Sequence, residues 1–248
     1  MTASTSDTPT TGRQLHDGVP AFAEQVRRTG FVVIPKEELA GLISDADLEE
    51  LRDAWEDLPV DTEVDGVGVY RERRYSRLRV VVDGDTVTYE VLPHAAFRQD
   101  SIPLWEGKDR LFEPVDQDLL LSPTMRALVG FNARMATAAG GNNSWRTGVH
   151  LVRVVARADA DGLPTPEGRH RDGHSYVGMH LMRREGVTGG LSTVHPNDGG
   201  DIVQTTLVQP LDTMFIDDNM ITHEVSPIVP EGASGVRDML IIDMNPMA

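Results

Sequence analysis

The chain has 248 residues and a formal net charge of -16, so it is long enough for one large domain and is repelled by nucleic acid and anionic membrane surfaces. It contains no cysteine, which excludes disulfides, iron–sulfur clusters and thiolate zinc sites. No stretch approaches the roughly 18–20 apolar residues of a membrane helix. The expectation is a cytoplasmic protein with no nucleic-acid or membrane partner; a homo-oligomer stays open.

Residues 1–14 are polar and Thr/Ser-rich, and read as a disordered tail that is neither signal peptide nor anchor. Residues 15–248 read as one domain. Phe22 and Val26, followed by Phe31-Val32-Val33-Ile34, predict a short helix running into a buried strand, with Gly30 as the break. Ser44-Asp45-Ala46-Asp47 opens a second helix. Ser44 is placed to cap it, Leu48, Leu51, Trp55 and Leu58 fall on one face, and Pro59 stops it.

From Tyr70 to Leu92 the pattern becomes β, with Asp83-Gly84-Asp85 as a hairpin turn. A further helix is predicted from Ser122, with Pro123 at its first position, to Gly140-Gly141. After Trp145 candidate strands fall at 147–156, 174–183, 190–195, 202–209, 212–217, 222–229 and 236–243. The fold class that follows is mainly β with N-terminal helices. A helical and hairpin part runs to about residue 144, and a double-stranded β-helix (jelly-roll, cupin-like) core follows it.

The chemistry concentrates in His170-Arg171-Asp172, then His223 fifty-one residues on, then Arg237. Residues two apart on a strand point to one face, so His170 and Asp172 could share an ion. Two histidines and a carboxylate are the donor set of a mononuclear non-haem Fe(II) site, which leaves half the coordination sphere open. Taken singly, a loop histidine is usually solvated and an Asp before Gly is usually a turn former. His174, His180 and His195 also lie near, and spacing does not choose among the histidines. In 236–243, alternation sets Arg237, Met239 and Ile241 on one face of an apolar strand. Such an arginine needs a partner: a structural carboxylate (Asp212 or Asp243), or a ligand carboxylate gripped by its planar fork.

His170-Arg171-Asp172-Gly173, Gly189-Gly190-Leu191-Ser192-Thr193, Leu211-Asp212-Thr213-Met214-Phe215-Ile216-Asp217-Asp218 leading to His223, and Gly235-Val236-Arg237-Asp238 occur in this order. Together they resemble the bacterial 2-oxoglutarate/Fe(II)-dependent dioxygenases of the L-isoleucine 4-hydroxylase type, which hydroxylate free amino acids, citrulline among them. The likeness covers roughly the last hundred residues, with fainter echoes at Arg73-Arg74-Tyr75 and Phe97-Arg98-Gln99.

The resemblance implies Fe(II), 2-oxoglutarate as co-substrate and O₂. It makes His170, Asp172 and His223 the iron ligands and Arg237 the anchor for the distal carboxylate of 2-oxoglutarate. One of Ser192 and Thr193 would add a hydroxyl hydrogen bond to that carboxylate. Related halogenases lack the ligand carboxylate and place halide there; Asp172 therefore favours hydroxylation of an unactivated carbon, with release of succinate and CO₂. For the carboxylate of a free amino acid substrate the candidate partners are Arg74, Arg153 and Gln99. Two other classes stay open: a cupin-type metal dioxygenase that does not use 2-oxoglutarate, and a non-catalytic jelly-roll binding protein.

Overall fold

Residues 5–6, 13–64 and 70–247 are described by the structure, a computed structural model. Of the segment read as a tail, Thr5–Ser6 forms strand β1 and Arg13 opens helix α1 (Arg13–Thr29); the rest lies outside the described residues. Gly30 ends α1 with a positive φ of 81°, and β2 (Phe31–Ile34) follows. After the single turn α2 (Lys36–Leu39) comes α3 (Asp45–Arg52). Its first turn is closed as predicted: Ser44 Oγ accepts the Asp47 N–H at 3.1 Å and the Asp47 carboxylate accepts from Ser44.

The hairpin is β3 (Tyr70–Asp83) with β4 (Thr86–Val91). A short α4 (Gln117–Leu120) leads to α5 (Pro123–Gly140), capped by Ser122 Oγ on the Met125 N–H and ended by left-handed Gly141. The remainder is strand: β5 (Ser144–Arg157), β6 (Tyr176–Glu185), β7 (Val187–Gly189), β8 (Ser192–Pro196), β9 (Val203–Thr205), β10 (Thr213–Asp217), β11 (Ile221–Val225), β12 (Ile228–Pro230) and β13 (Ser234–Pro246). The strand predicted over 222–229 is thus two strands, β11 and β12, parted at Ser226-Pro227, where proline has no N–H for a ladder.

Eight strands form one sheet in the order β1-β4-β3-β5-β13-β6-β10-β2; β11-β8-β9 and β12-β7 form two small ones. Strand alternation gives the large sheet two different faces. Leu78, Val149, Leu151, Leu240 and Ile242 pack with Val26, Leu51, Leu128 and Met135 of the helices. Each such buried aliphatic chain contributes roughly 1.5–3 kcal/mol by leaving water. The opposite face meets the small sheets, Val177, Met214 and Ile216 against Val194 and Ile221, and Val152 and Val154 against Val187 and Ile228. Two facing antiparallel layers with helices on the outside make the expected double-stranded β-helix. His180 turns to the helix side of β6, where it bonds Asn132 of α5 and Thr213, so it is a core histidine. No helix among the described residues is long and apolar enough to cross a membrane.

Candidate active site

Between the large sheet and β8/β11 lies a cavity of about 110 Å³, and His170, Asp172 and His223 line it. Strand parity was the argument for His170 and Asp172 sharing an ion; they lie in the loop between β5 and β6, ahead of the strand. His170 instead forms an isolated two-way bridge with His223 on β11, N–H to O at 3.0 and 2.9 Å. That bridge sets the two rings side by side, centroids 4.5 Å apart. Gly173, at φ +84°, then turns the chain away. Asp172 reaches both rings, Oδ1 to His170 Nε2 at 3.3 Å and Oδ2 to His223 Nε2 at 3.6 Å. All three ligand atoms fall within 4.8 Å of one another.

The triad holds a proton on His170 that a bound cation would replace. The Gly168 carbonyl can only accept, so His170 Nδ1 donates to it at 2.8 Å and Nε2 is aimed at the shared point. Burial pushes His223 down to about 4 and so keeps it neutral. Burial works against a charge on His170 too, but the hydrogen bond and charge of Asp172 outweigh it and hold His170 up to about 9. Asp172 stays well below the usual carboxylate range: burial opposes this, but His170 and His223 prevail.

A residue the sequence reading passed over fixes this loop. Asp218, fully buried, accepts the backbone N–H groups of Asp172, Gly173 and His174 at 2.9, 2.8 and 3.2 Å. Its only sequence signal was an acidic pair in a turn.

Arg237 enters the same cavity with Met239 and Ile241, on the face that alternation predicted. It is 4% exposed, and its Nε is buried without an acceptor. Among the described residues no carboxylate pairs with it, which overturns the structural-bridge alternative. Asp212 instead accepts the N–H groups of Lys36, Val208 and Gln209, and Asp243 contacts His150 and His174. Burial, with Arg184 adding repulsion, pushes Arg237 down to about 10, so it is still a cation at neutral pH.

The 2OG-Fe dioxygenase family matches residues 52–243. The chain belongs to that family. This 2OG-Fe dioxygenase is also similar to solved structures. One is a bsmA homologue from Methylobium petroleophilum PM1, 27% identical, TM-score 0.84, covering 92% of this chain and 93% of that one. IDO from Bacillus thuringiensis is 22% identical with a TM-score of 0.76, over 93% and 100% of the two chains. The Fe(II)/α-ketoglutarate-dependent dioxygenase TqaL is 18% identical with a TM-score of 0.69, over 95% and 90%. The last two show a shared fold. No curated protein matches the chain by sequence. Family membership brings Fe(II), 2-oxoglutarate and O₂ as cofactor and co-substrates, and decides among the three classes that the sequence left open.

The other expected site residues divide. Gln99 lines the cavity and donates to Asp172 Oδ1 at 3.2 Å. Ser192 lines it as well, whereas Thr193, one residue along β8, takes a hydrogen bond from Gln204 at 3.3 Å and is not in the lining. Arg74 and Arg153 are not at the site. Arg74 pairs with Glu113 at the surface. Arg153 faces the helices and grips Asp238 with two bonds of 2.7 and 2.8 Å. Besides Arg237, the arginines that line the cavity are Arg71, Arg73 and Arg110. Alternation could have found the first two: on β3, Arg71, Arg73 and Tyr75 are the buried set and Arg74 falls between them.

Proposed function

We propose that this dioxygenase hydroxylates an unactivated carbon of a free L-amino acid or a close derivative, coupled to conversion of 2-oxoglutarate to succinate and CO₂. His170, Asp172 and His223 hold Fe(II), Arg237 binds the distal carboxylate of 2-oxoglutarate, and Ser192 lends that carboxylate its hydroxyl. The observation that carries the reading is Arg237, a buried cation with no partner among the described residues, in the same cavity as the triad. An unpaired buried charge is costly unless a ligand completes it.

Bound Fe(II) supplies the O₂ activation that oxidative decarboxylation of 2-oxoglutarate drives. The protein's share is placement. Asp172 occupies a metal position with carboxylate, which supports hydroxylation over halogenation. Walls from both sheets would hold the substrate against the triad. A small cavity with buried guanidinium groups and the Glu167 carboxylate in its lining suits a small zwitterion.

Anaerobic addition of Fe(II) and then 2-oxoglutarate should give a visible metal-to-ligand charge-transfer band. In Arg237→Met the half-saturating 2-oxoglutarate concentration should rise on the order of a hundredfold, the cost of losing a buried charge pair. Asp172→Ala should abolish 2-oxoglutarate turnover. A band with wild-type midpoint in the Arg237 variant would remove the co-substrate assignment. Screening free L-amino acids for succinate formation tests the substrate class; no stimulation by any of them would reject it.

A further inference from the structure

Two further arginines in the cavity lack a carboxylate partner, as Arg237 does. Arg73 is 8% and Arg110 is 1% exposed. Among the described residues neither has a carboxylate within ion-pair distance, and the Nε of each is buried without an acceptor. Their neighbour Arg71 is different, because Asp61 neutralises it at 2.9 Å.

What holds the two cations is uncharged. Arg73 lies over Phe112 at 4.5 Å and over Phe97 at 5.0 Å; Arg110 lies over Trp105 at 4.3 Å and shares Phe97 at 5.0 Å. Aromatic faces favour a cation without cancelling its charge. The polar contacts have the same character. His150 Nε2 is 2.7 Å from a carboxylate oxygen of Asp243, so it carries the proton, and Nδ1 is left to accept from Arg73 at 2.7 Å. The Gln99 carbonyl accepts from Arg110 while its amide donates to Asp172. One glutamine side chain therefore separates Arg110 from the triad.

Two like charges against the same rings, with no counter-ion, repel each other and lose hydration; an arriving anion removes both penalties. That anion is not the one on Arg237. Arg73 lies on β3 and Arg237 on β13, with β5 between them. Two strand spacings are about 10 Å, too far for one carboxylate to bridge.

We propose that Arg73 and Arg110 form a second anion site, and that it binds the carboxylate of the primary substrate beside the triad. The assignment rests on the dioxygenase reading above. It gives Gln99 the role of a positioning residue, linking the substrate's anchor to Asp172.

The test uses the anaerobic Fe(II)- and 2-oxoglutarate-loaded protein. The probes are the free L-amino acids and simple monocarboxylic acids, each compared with its primary amide. Binding is read as a shift of the charge-transfer band and, in the metal-free protein, as a change in tryptophan fluorescence that Trp105→Phe removes. At least one carboxylate should bind about tenfold more tightly than its amide, the worth of one charge-assisted contact. Arg73→Met and Arg110→Met should each erase that preference while the midpoint for 2-oxoglutarate moves by less than about twofold. Arg73→Lys, which keeps the charge should the Met variant not fold, should retain part of it.

Equal binding of acids and amides, no binding by any probe, or a preference that survives both Met variants would overturn the assignment. Loss of the 2-oxoglutarate band in those variants would overturn it as well, by giving these arginines to the co-substrate. A wild-type protein that gives no band at all fails at the earlier step, so the two failures are separable.

Discussion

Asp218 shows how much of the proposed metal site is made by a residue that would never touch the metal. Its two oxygens gather three consecutive N–H groups, and Asp172 points at the histidines because its backbone is held there. Burial, and then the charge of Asp172, pushes the Asp218 carboxyl above its ordinary value, so the cradle is itself under electrostatic load. Asp218→Asn replaces one acceptor oxygen by a donor. Loss of such outer support typically costs about 10–100-fold in metal affinity, and Co(II) titration of the variant should read a loss in that range with the fold retained. Wild-type affinity would mean that the His170–His223 bridge is sufficient. At this scale the sequence was legible where chemistry repeats with the strand. Arg237 was found because alternation set it inside, whereas Arg74 was chosen over Arg73 because the same test was not applied to β3.

Among elements, those with local causes were readable. Ser44 and Ser122 are caps beside apolar periodicity, and Asp83-Gly84-Asp85 joins two alternating runs; each signal lies within a few residues of its effect. The loop bearing His170 and Asp172 has no such local cause. Its shape comes from β11 and Asp218, far along the chain, so the strand-parity argument named residues that do come together, but for a reason the structure does not support. Strand-to-strand approach was equally hidden. Gly148 on β5 faces Asp243 on β13 so closely that a Cβ at 148 would stand 2.0 Å from Asp243 Oδ2. Gly148→Ala must displace that carboxylate from His150 and His174. The expected cost is about 1–3 kcal/mol, typical of overpacking in a tight interior, read as a lower urea midpoint; an unchanged midpoint would show that β13 yields freely there.

Over the whole molecule, charge sets the dependence on solution conditions. His150 and His180 are buried neutral, burial pushing them down to about 4 and about 3. Because these values lie below the unfolded histidine value near 6.5, stability is complete above about pH 6.5 and is lost as the pH falls toward 4. At pH 5 the two should cost about 2 kcal/mol each, so urea midpoints measured at about pH 7.5 and pH 5 should separate clearly; coincident midpoints would contradict the buried neutral state. The net charge of -16 makes a second demand. 2-Oxoglutarate is a dianion and approaches a repelling surface. Raising ionic strength from about 0.01 M to 0.15 M shortens the screening length from about 30 Å to 8 Å. This should lower its KM severalfold, since contacts inside the cavity are screened far less. A KM that rises with salt would place the cavity mouth in a locally positive field.

The loop that carries His170 has a further consequence. Gly162 bridges Ile228, Thr165 exchanges hydrogen bonds of 3.0 Å with the Val225 backbone, and His170 bridges His223. The loop thus runs beside β11 and β12 as an irregular extra strand. In the small sheet β11 is an outermost strand, and a bare outermost strand offers unpaired N–H and C=O groups to any passing chain. The segment proposed to deliver two iron ligands is therefore also the guard of that edge. Changes that loosen it would be felt as self-association through β11 as well as in lost turnover.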